Sequence, residues 1–94
     1  MAAGQTTHGQ RYPDVEGPGR PYERMRAGGY RRVRLGGERG WTWEICDPLG
    51  HAGRLGSHDV TEHEDGTITV SPSILDPEAG GWHGFLERGV WREV

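Results

Sequence analysis

The sequence predicts a mainly β protein, in which a small antiparallel sheet of hairpins with four to six short strands follows an extended N-terminal arm. Three observations predict this class. Trp41–Cys46 alternates apolar and polar residues with the period of two that a strand requires. Asp65-Gly66 lies between two β-prone runs, which is the strongest short-range signal for a hairpin. A second cue, Glu87-Arg88-Gly89, separates two further apolar runs, and no segment shows the periodicity of a useful helix.

The N-terminal arm comprises residues 1–29. Gly and Pro interrupt it repeatedly, and its apolar residues show neither the strand nor the helix period. Because such a segment buries too little apolar surface to offset its ordering entropy, we expect neighbouring chains to order it. The folded β domain is therefore expected at residues 30–94.

The first two strands of that domain follow from alternation. Tyr30–Leu35 is expected to place Arg31, Val33 and Leu35 on one face and Arg32 and Arg34 on the other. In the next strand, Trp41, Trp43 and Ile45 share a face that should be half-buried.

The two hairpins follow from their turn residues. A two-residue Asp65-Gly66 turn pairs His63 with Ile68 and Thr61 with Val70, so these four residues should form an inner face. The second hairpin pairs Trp82–Leu86 with Val90–Val94 around a three-residue loop at Glu87-Arg88-Gly89. Trp82, Gly84 and Leu86 then share one face.

Composition limits the size of the core. Hydrophobic residues make up 32% of the 94 residues, against roughly 45–50% in globular domains. Four Trp, three Tyr and one Phe supply most of the buried area, so the tryptophans are expected in the core. No apolar run approaches the roughly 18 residues that span a membrane, and the first residues do not resemble a signal peptide.

Charge is unevenly distributed along the chain. Residues 1–45 carry eight Arg and five acidic residues, whereas residues 46–94 carry three Arg and nine acidic residues. This asymmetry favours contact between copies or a basic arm on an acidic neighbour. The expected partner-binding residues are Arg24, Arg26, Tyr30, Arg31, Arg32 and Arg34.

Two other kinds of chemistry are open to this sequence. Cys46, His51 and His83 offer thiolate and imidazole ligands for zinc, which is the one candidate cofactor. The Arg-rich segment with interleaved Tyr is also compatible with nucleic-acid binding, but the net charge of −3 and the absence of a known reader motif make that interpretation weaker.

The sequence contains no catalytic constellation, so we predict that the protein is not an enzyme. His58 and His63 are five residues apart, whereas a helical metallohydrolase motif needs a spacing of four. Ser71 and Ser73 are not in a nucleophile elbow, and nothing indicates the burial that would raise the pKa of an acidic pair.

Residues 44–94 resemble a small uncharacterised domain family of actinobacteria and their bacteriophages. The similarity includes Cys46, Gly50–Leu55, Glu64–Leu75, Gly81–Leu86 and Gly89–Trp91. Relatives often carry Cys-x-x-Cys before the Gly-His pair, but here Leu49 replaces the second Cys. The resemblance implies a setting and no activity.

Together these observations indicate a non-enzymatic structural or accessory protein of a bacteriophage particle, in the tail or on the capsid. Its partners would be other virion proteins, in several copies of a symmetric assembly formed in the bacterial cytoplasm. A small zinc-binding or regulatory phage protein is the alternative, followed by an Arg-driven nucleic-acid binder.

Overall fold

The computed structural model describes residues 5–16, 24–34, 36, 40–56, 58–76 and 81–94, which form ten strands and no helix. The strands are β1 (Thr6–His8), β2 (Gln10–Arg11), β3 (Val15–Glu16), β4 (Gly29–Arg34), β5 (Trp41–Cys46), β6 (Ala52–Arg54), β7 (Asp59–Glu62), β8 (Ile68–Leu75), β9 (His83–Glu87) and β10 (Val90–Glu93). The mainly β class is confirmed, with more strands than the four to six expected.

The strands form two sheets. Sheet A has the order β1-β10-β9-β8-β7, and all its pairs are antiparallel. Sheet B has the order β2-β4-β5-β6, and β3 also pairs with β4. The short strands β2 and β3 run parallel to β4, whereas the other pairs of sheet B are antiparallel.

The N-terminal segment joins the two sheets. β1 adds to the edge of sheet A, the Gly9 N–H donates to the Gly89 carbonyl oxygen (2.7 Å), and β2 and β3 then add to sheet B. Tyr12 and Val15 are buried on the way. The described part of the arm therefore finds its partners within its own chain. No periodicity indicated this, because strands of two or three residues are too short to show one. Residues 1–4 and 17–23 of the arm lie outside the described ranges.

The main core draws residues from both sheets. Its buried members are Tyr30, Ile45, Leu55, Ile68, Val70, Ile74, Trp82, Leu86 and Trp91. Trp82 and Trp91 pack edge to face, with ring centres 5.3 Å apart and planes at 85°. Trp91 Nε1 also donates to the Gly28 carbonyl oxygen at 2.8 Å, so its polar group is satisfied across the core.

The first hairpin corrects the expected register by one residue. Val60 pairs with Val70 and Glu62 with Ile68, around the three-residue loop 64–66. Only Gly66 in this loop has a positive φ (87°), whereas the expected two-residue turn needs positive φ at both central positions. Ile68 and Val70 do face the core. The inward placement of Thr61 and His63 was wrong, because a slip of one residue reverses the face of a strand.

The loop of the second hairpin is one residue shorter than expected, whereas that of the first hairpin is one residue longer. Val90 pairs with Glu87, which leaves a two-residue turn at Arg88 and Gly89 instead of the expected three-residue loop. Both turn residues have positive φ, 45° and 77°, as a type I′ turn requires. The shared face of Trp82, Gly84 and Leu86 is confirmed, since all three are buried.

Strand β4 separates two layers of packing. Tyr30 belongs to the main core, whereas Arg31 and Val33 are buried on the other face. That second face also carries Tyr12, Met25 and Cys46, which form a small cluster. Leu35, expected beside Arg31 and Val33, lies outside the described ranges.

A substitution at Gly84 tests how closely the second hairpin is packed. A methyl group there would collide with the Arg92 carbonyl oxygen and the Trp82 ring, so we expect Gly84→Ala to lower the free energy of unfolding by about 1–3 kcal/mol. Urea denaturation followed by Trp fluorescence measures the change. Gly36→Ala is the matched control, because no atom of the described residues lies within 4 Å of its added methyl. Equal stability of the two variants would contradict the close packing of Gly84 against Trp82 and Arg92.

Candidate functional site

The three expected zinc ligands lie in different surroundings. Cys46 is buried beside Tyr12 and Met25, and burial raises the pKa of its thiol. His83 Nε2 lies 3.1 Å from Ser73 Oγ. His51 Nδ1 lies 2.6 Å from Asp76 Oδ2. Within the described ranges, one group of three potential metal ligands converges, and it consists of Asp47, His51 and Asp76.

Asp47 organises the turn between β5 and β6. Its Oδ1 accepts hydrogen bonds from the backbone N–H groups of Leu49 (2.9 Å) and His51 (3.0 Å). The Gly50 N–H donates to the Asp47 carbonyl oxygen at 2.8 Å, and Gly50 has a φ of 92°. The segment Asp-Pro-Leu-Gly thus folds as its residue types favour, with an Asp side chain bonding its own turn.

The Asp47–His51–Asp76 cluster joins the two sheets, because Asp76 follows β8 of sheet A. Asp47 is only 3% exposed, and burial raises the pKa of its carboxyl, to which the neighbouring Asp76 carboxyl adds. Oxygen atoms of the two carboxyl groups lie within 4.8 Å of each other. At so short a separation, one proton shared by the pair is favoured over two full negative charges. The donor set, one imidazole and two carboxylates, is also of a kind that binds zinc or manganese. The zinc site at Cys46, His51 and His83 stays a prediction.

A cleft lies beside this cluster, between β6 and the second half of β8. Its lining is mainly apolar and includes Ile45, Leu55, Ile74 and Leu75. His58 connects its two walls, with Nδ1 2.8 Å from the Leu55 carbonyl oxygen and Nε2 3.1 Å from that of Ser73. The cleft and the cluster together make the first candidate site, an apolar surface with a few convergent polar groups.

The second candidate site is a row of alternating guanidinium groups and indole rings, here named the Arg–Trp stack (Arg11, Trp43, Arg32, Trp41 and Arg34). Arg11 lies 4.8 Å from the centre of the Trp43 ring. Arg32 and Arg34 lie 4.9 Å and 5.9 Å from that of Trp41. The antiparallel register of β4 and β5, with Arg32 opposite Trp43 and Arg34 opposite Trp41, creates this alternation.

Carboxylates hold the stack in place. Asp14 accepts from Arg32 (2.7 Å) and Arg11 (3.3 Å), and the Arg32 hydrogen bond lowers the pKa of Asp14. Glu62 Oε2 lies 2.9 Å from Arg11 and its Oε1 lies 3.9 Å from Arg32. Glu16 lies 4.0 Å from Arg34. Each guanidinium of the stack therefore has a carboxylate of its own chain.

The expected partner-binding residues divide into two groups. Tyr30 is 1% exposed and Arg31 is 3% exposed, so both contribute to the interior of the protein. Arg31 donates to Glu44 Oε1 from Nε (3.1 Å) and Nη2 (2.9 Å). The exposed or partly exposed positions are Arg24, Arg26, Arg32 and Arg34.

Sequence reasoning missed several members of these sites. Trp41 was expected in the core, but it is 40% exposed in the stack, where Arg32 and Arg34 contact its ring. Arg11 and Asp14 fall in the arm, where no pattern marked them. Asp47 and Asp76 are 29 positions apart in sequence, so no local spacing could pair them. The Asp47 turn itself was the only available signal.

Comparisons with protein-family models, with curated proteins and with solved structures gave no match. In the described part of the chain, no helix is long and apolar enough to cross a membrane.

The raised pKa of the Asp47 carboxyl predicts that the stability of the protein changes with pH. Its pKa is raised in the folded protein above the reference value of 3.8. The protonated carboxyl therefore adds to the free energy of unfolding below that pH, and this stabilisation is lost as pH rises through the folded pKa. Asp47→Asn keeps the oxygen that accepts from Leu49 and His51, and its amide donates to Asp76 at every pH. We therefore expect the variant to gain stability relative to the natural protein as pH rises.

Urea unfolding at a series of pH values from about 3 to 8 measures this difference. Asp65→Asn is the control, since hydrogen bonds from Thr67 lower the pKa of Asp65 and its trend with pH should have the opposite sign. A stability difference for Asp47→Asn that stays constant over the range would contradict the shared-proton description.

Proposed function

We propose that this protein is a non-enzymatic interaction module of a bacteriophage particle, which binds neighbouring subunits through the Arg–Trp stack. The observation that carries the proposal is the exposure of Trp41 in contact with Arg32 and Arg34. In a chain with so few apolar residues, Trp41 is left 40% exposed while two guanidinium groups contact its ring, so a partner that packs on it would bury further apolar surface.

The stack has the properties of a protein-binding hot spot. Trp and Arg are enriched where single residues dominate binding energy. Asp14 and Glu62 already hydrogen-bond to Arg11 and Arg32 and restrict their guanidinium groups. Less side-chain entropy is therefore lost on association, which leaves more of the contact energy for affinity.

The charge balance of this surface favours a protein partner over a nucleic acid. A phosphate backbone would have to displace carboxylates that already accept from Arg11 and Arg32. A protein surface can instead pack on Trp41 and bond to the outer edges of the guanidinium groups.

The placement in a phage particle rests on the resemblance of residues 44–94 and on the sequence composition. All eleven basic residues are Arg, and both Lys and Asn are absent, as a G+C-rich genome favours. The proposed partners are virion proteins in a symmetric assembly, built in the host cytoplasm. Separating purified particles into tails and capsids would show which of the two fractions contains the protein.

The experiment replaces Trp41 by Ala and measures the copy number of the protein in purified particles by quantitative mass spectrometry. Loss of a hot-spot residue costs about 2 kcal/mol or more, so we expect at least a tenfold fall in occupancy at limiting protein concentration. Phe85→Ala is the matched control, because Phe85 contacts Arg92 (5.1 Å) on the other sheet in a similar Arg–aromatic pair.

Absence of the natural protein from particles would contradict the particle proposal. Full occupancy by the Trp41→Ala variant would contradict the role of the stack. Metal analysis of the purified protein distinguishes the particle proposal from the alternative function. One zinc per chain, with unfolding on chelation, would indicate a zinc-binding regulatory protein.

A further inference from the structure

An imidazole and two carboxyl groups from different sheets meet at one point. Asp47 and His51 belong to sheet B and the turn that follows β5, whereas Asp76 follows β8 of sheet A. One ligand atom of each residue lies within 4.8 Å of those of the other two. Tetrahedral ligands at zinc bond lengths lie about 3.4 Å from one another. His51 Nδ1 and Asp76 Oδ2, now 2.6 Å apart, would therefore need to separate by less than about 1 Å to admit the ion.

The turn orients the Asp47 carboxyl towards this point before any ion is bound. Asp47 Oδ1 accepts from the backbone N–H groups of Leu49 and His51, so the second carboxylate oxygen is directed to Asp76 or to a cation. Carboxylates that bind metals are commonly hydrogen-bonded in this way. Asp47 is only 3% exposed, and 9% of the Asp76 side chain is exposed, so water competes little with an ion for these oxygens.

The cleft beside the cluster gives the ion access and space for a further ligand. All three residues line this cavity of about 100 Å³, together with apolar residues such as Ile45 and Leu55. A water molecule occupies about 30 Å³, so the cavity has room for one as the fourth ligand. Three protein ligands with one open position are typical of accessible zinc sites, whereas closed structural sites supply all four ligands. The apolar lining also strengthens the attraction between a cation and the carboxylates.

The type and number of the donors favour zinc over other divalent ions. Magnesium and calcium prefer six or more oxygen ligands, but this cluster offers three donors, of which one is an imidazole nitrogen. Manganese accepts the same donors with lower affinity than zinc. In the metal-free protein a shared proton reduces the repulsion between the two carboxyl groups. A divalent ion in its place compensates both negative charges.

We propose that Asp47, His51 and Asp76 bind one zinc ion, which joins the end of β8 to the turn between β5 and β6. His51 coordinates the ion through Nδ1, and each aspartate coordinates it through one carboxylate oxygen. The site uses neither Cys46 nor His83, so it differs from the zinc site expected from the sequence. It shares no residue with the Arg–Trp stack and does not depend on the proposed function.

Calorimetric titration of the metal-depleted protein with zinc tests the ligand set. We expect one zinc per chain, and at least about tenfold weaker binding by Asp47→Asn and by Asp76→Asn, because loss of even a supporting residue at a metal site commonly has an effect of this size. Asp65→Asn is the matched control, since the Asp65 side chain also accepts from the backbone of its own turn, through the Thr67 N–H, but lies outside the cluster. His83→Gln should also bind zinc like the natural protein.

Cobalt in place of zinc identifies the donor atoms. A site made of one nitrogen and two carboxylates gives no thiolate-to-cobalt charge-transfer absorption, whereas coordination by Cys46 would produce it. Appearance of that absorption would overturn the proposed ligand set.

Chelation separates this site from the zinc-dependent fold of the alternative function. The hydrogen bonds of the Asp47 turn and the core between the sheets do not require the ion, so we expect chelation to remove zinc without unfolding. Added zinc should raise the urea midpoint of the natural protein, because an ion that binds only the folded state stabilises it, and should leave that of Asp76→Asn almost unchanged.

Three results would overturn the proposal. They are the absence of stoichiometric zinc binding at micromolar concentrations, unchanged zinc affinity in both Asp47→Asn and Asp76→Asn, and loss of zinc binding in His83→Gln. Trp41→Ala should bind zinc normally, so failure of this site and failure of the stack are distinguishable.

Discussion

The buried indole of Trp91 is the contact on which the arrangement of the two sheets depends. Trp91 belongs to β10 in sheet A, is fully buried, and donates its N–H to the Gly28 carbonyl oxygen at the start of sheet B. The Gly28 N–H in turn donates to the Cys46 carbonyl oxygen of β5 at 2.8 Å. An unsatisfied indole N–H in this core would cost about 1–3 kcal/mol. The hydrogen bond therefore favours the sheet separation at which the Trp91 ring reaches the Gly28 carbonyl oxygen. Gly28, with a φ of 91°, supplies the backbone conformation that brings its carbonyl to the ring.

The N-terminal segment completes this arrangement. It adds a strand to sheet A, crosses at Gly9 and adds two short strands to sheet B. A Cβ on Gly9 would lie 2.7 Å from the Gly89 carbonyl oxygen and 3.0 Å from Trp91 Nε1, so glycine is needed at the crossing. Tyr12 adds buried area and accepts a hydrogen bond from the Arg26 N–H through its hydroxyl (3.0 Å). A chain with few apolar residues thus covers its core by using its own arm.

The fold also changes the meaning of the charge distribution. Along the sequence, positive charge lies in the first half and negative charge in the second. In the structure, Glu62 of the second half contacts Arg11 and Arg32 of the first, and Asp14 and Glu16 add further pairs. The Arg–Trp stack is consequently balanced in charge. Protein association, which matches donors and carboxylates locally, suits such a surface better than long-range attraction to a polyanion.

Two outward surfaces remain with different physical characters. The stack offers an exposed indole and fixed guanidinium groups, whereas the β6 edge, with which no further strand of the described residues pairs, lies beside exposed leucines. Both lie on sheet B, and neither uses the fully buried face formed by Ile68, Leu86 and Trp91.

Local patterns in the sequence determined the β class, the alternation of Trp41–Cys46, the two turn positions and the buried faces of Ile68, Val70 and Trp82–Leu86, because strand period and turn residues act over a few positions. Tertiary structure decided the hairpin registers, since the core selects which face is buried and a slip of one residue reverses it. It also decided the pairing of β1 to β3, the meeting of Asp47 with Asp76, and the exposure of Trp41. Each of these depends on hydrogen bonds or packing between residues distant in sequence, whose proximity no local spacing encodes.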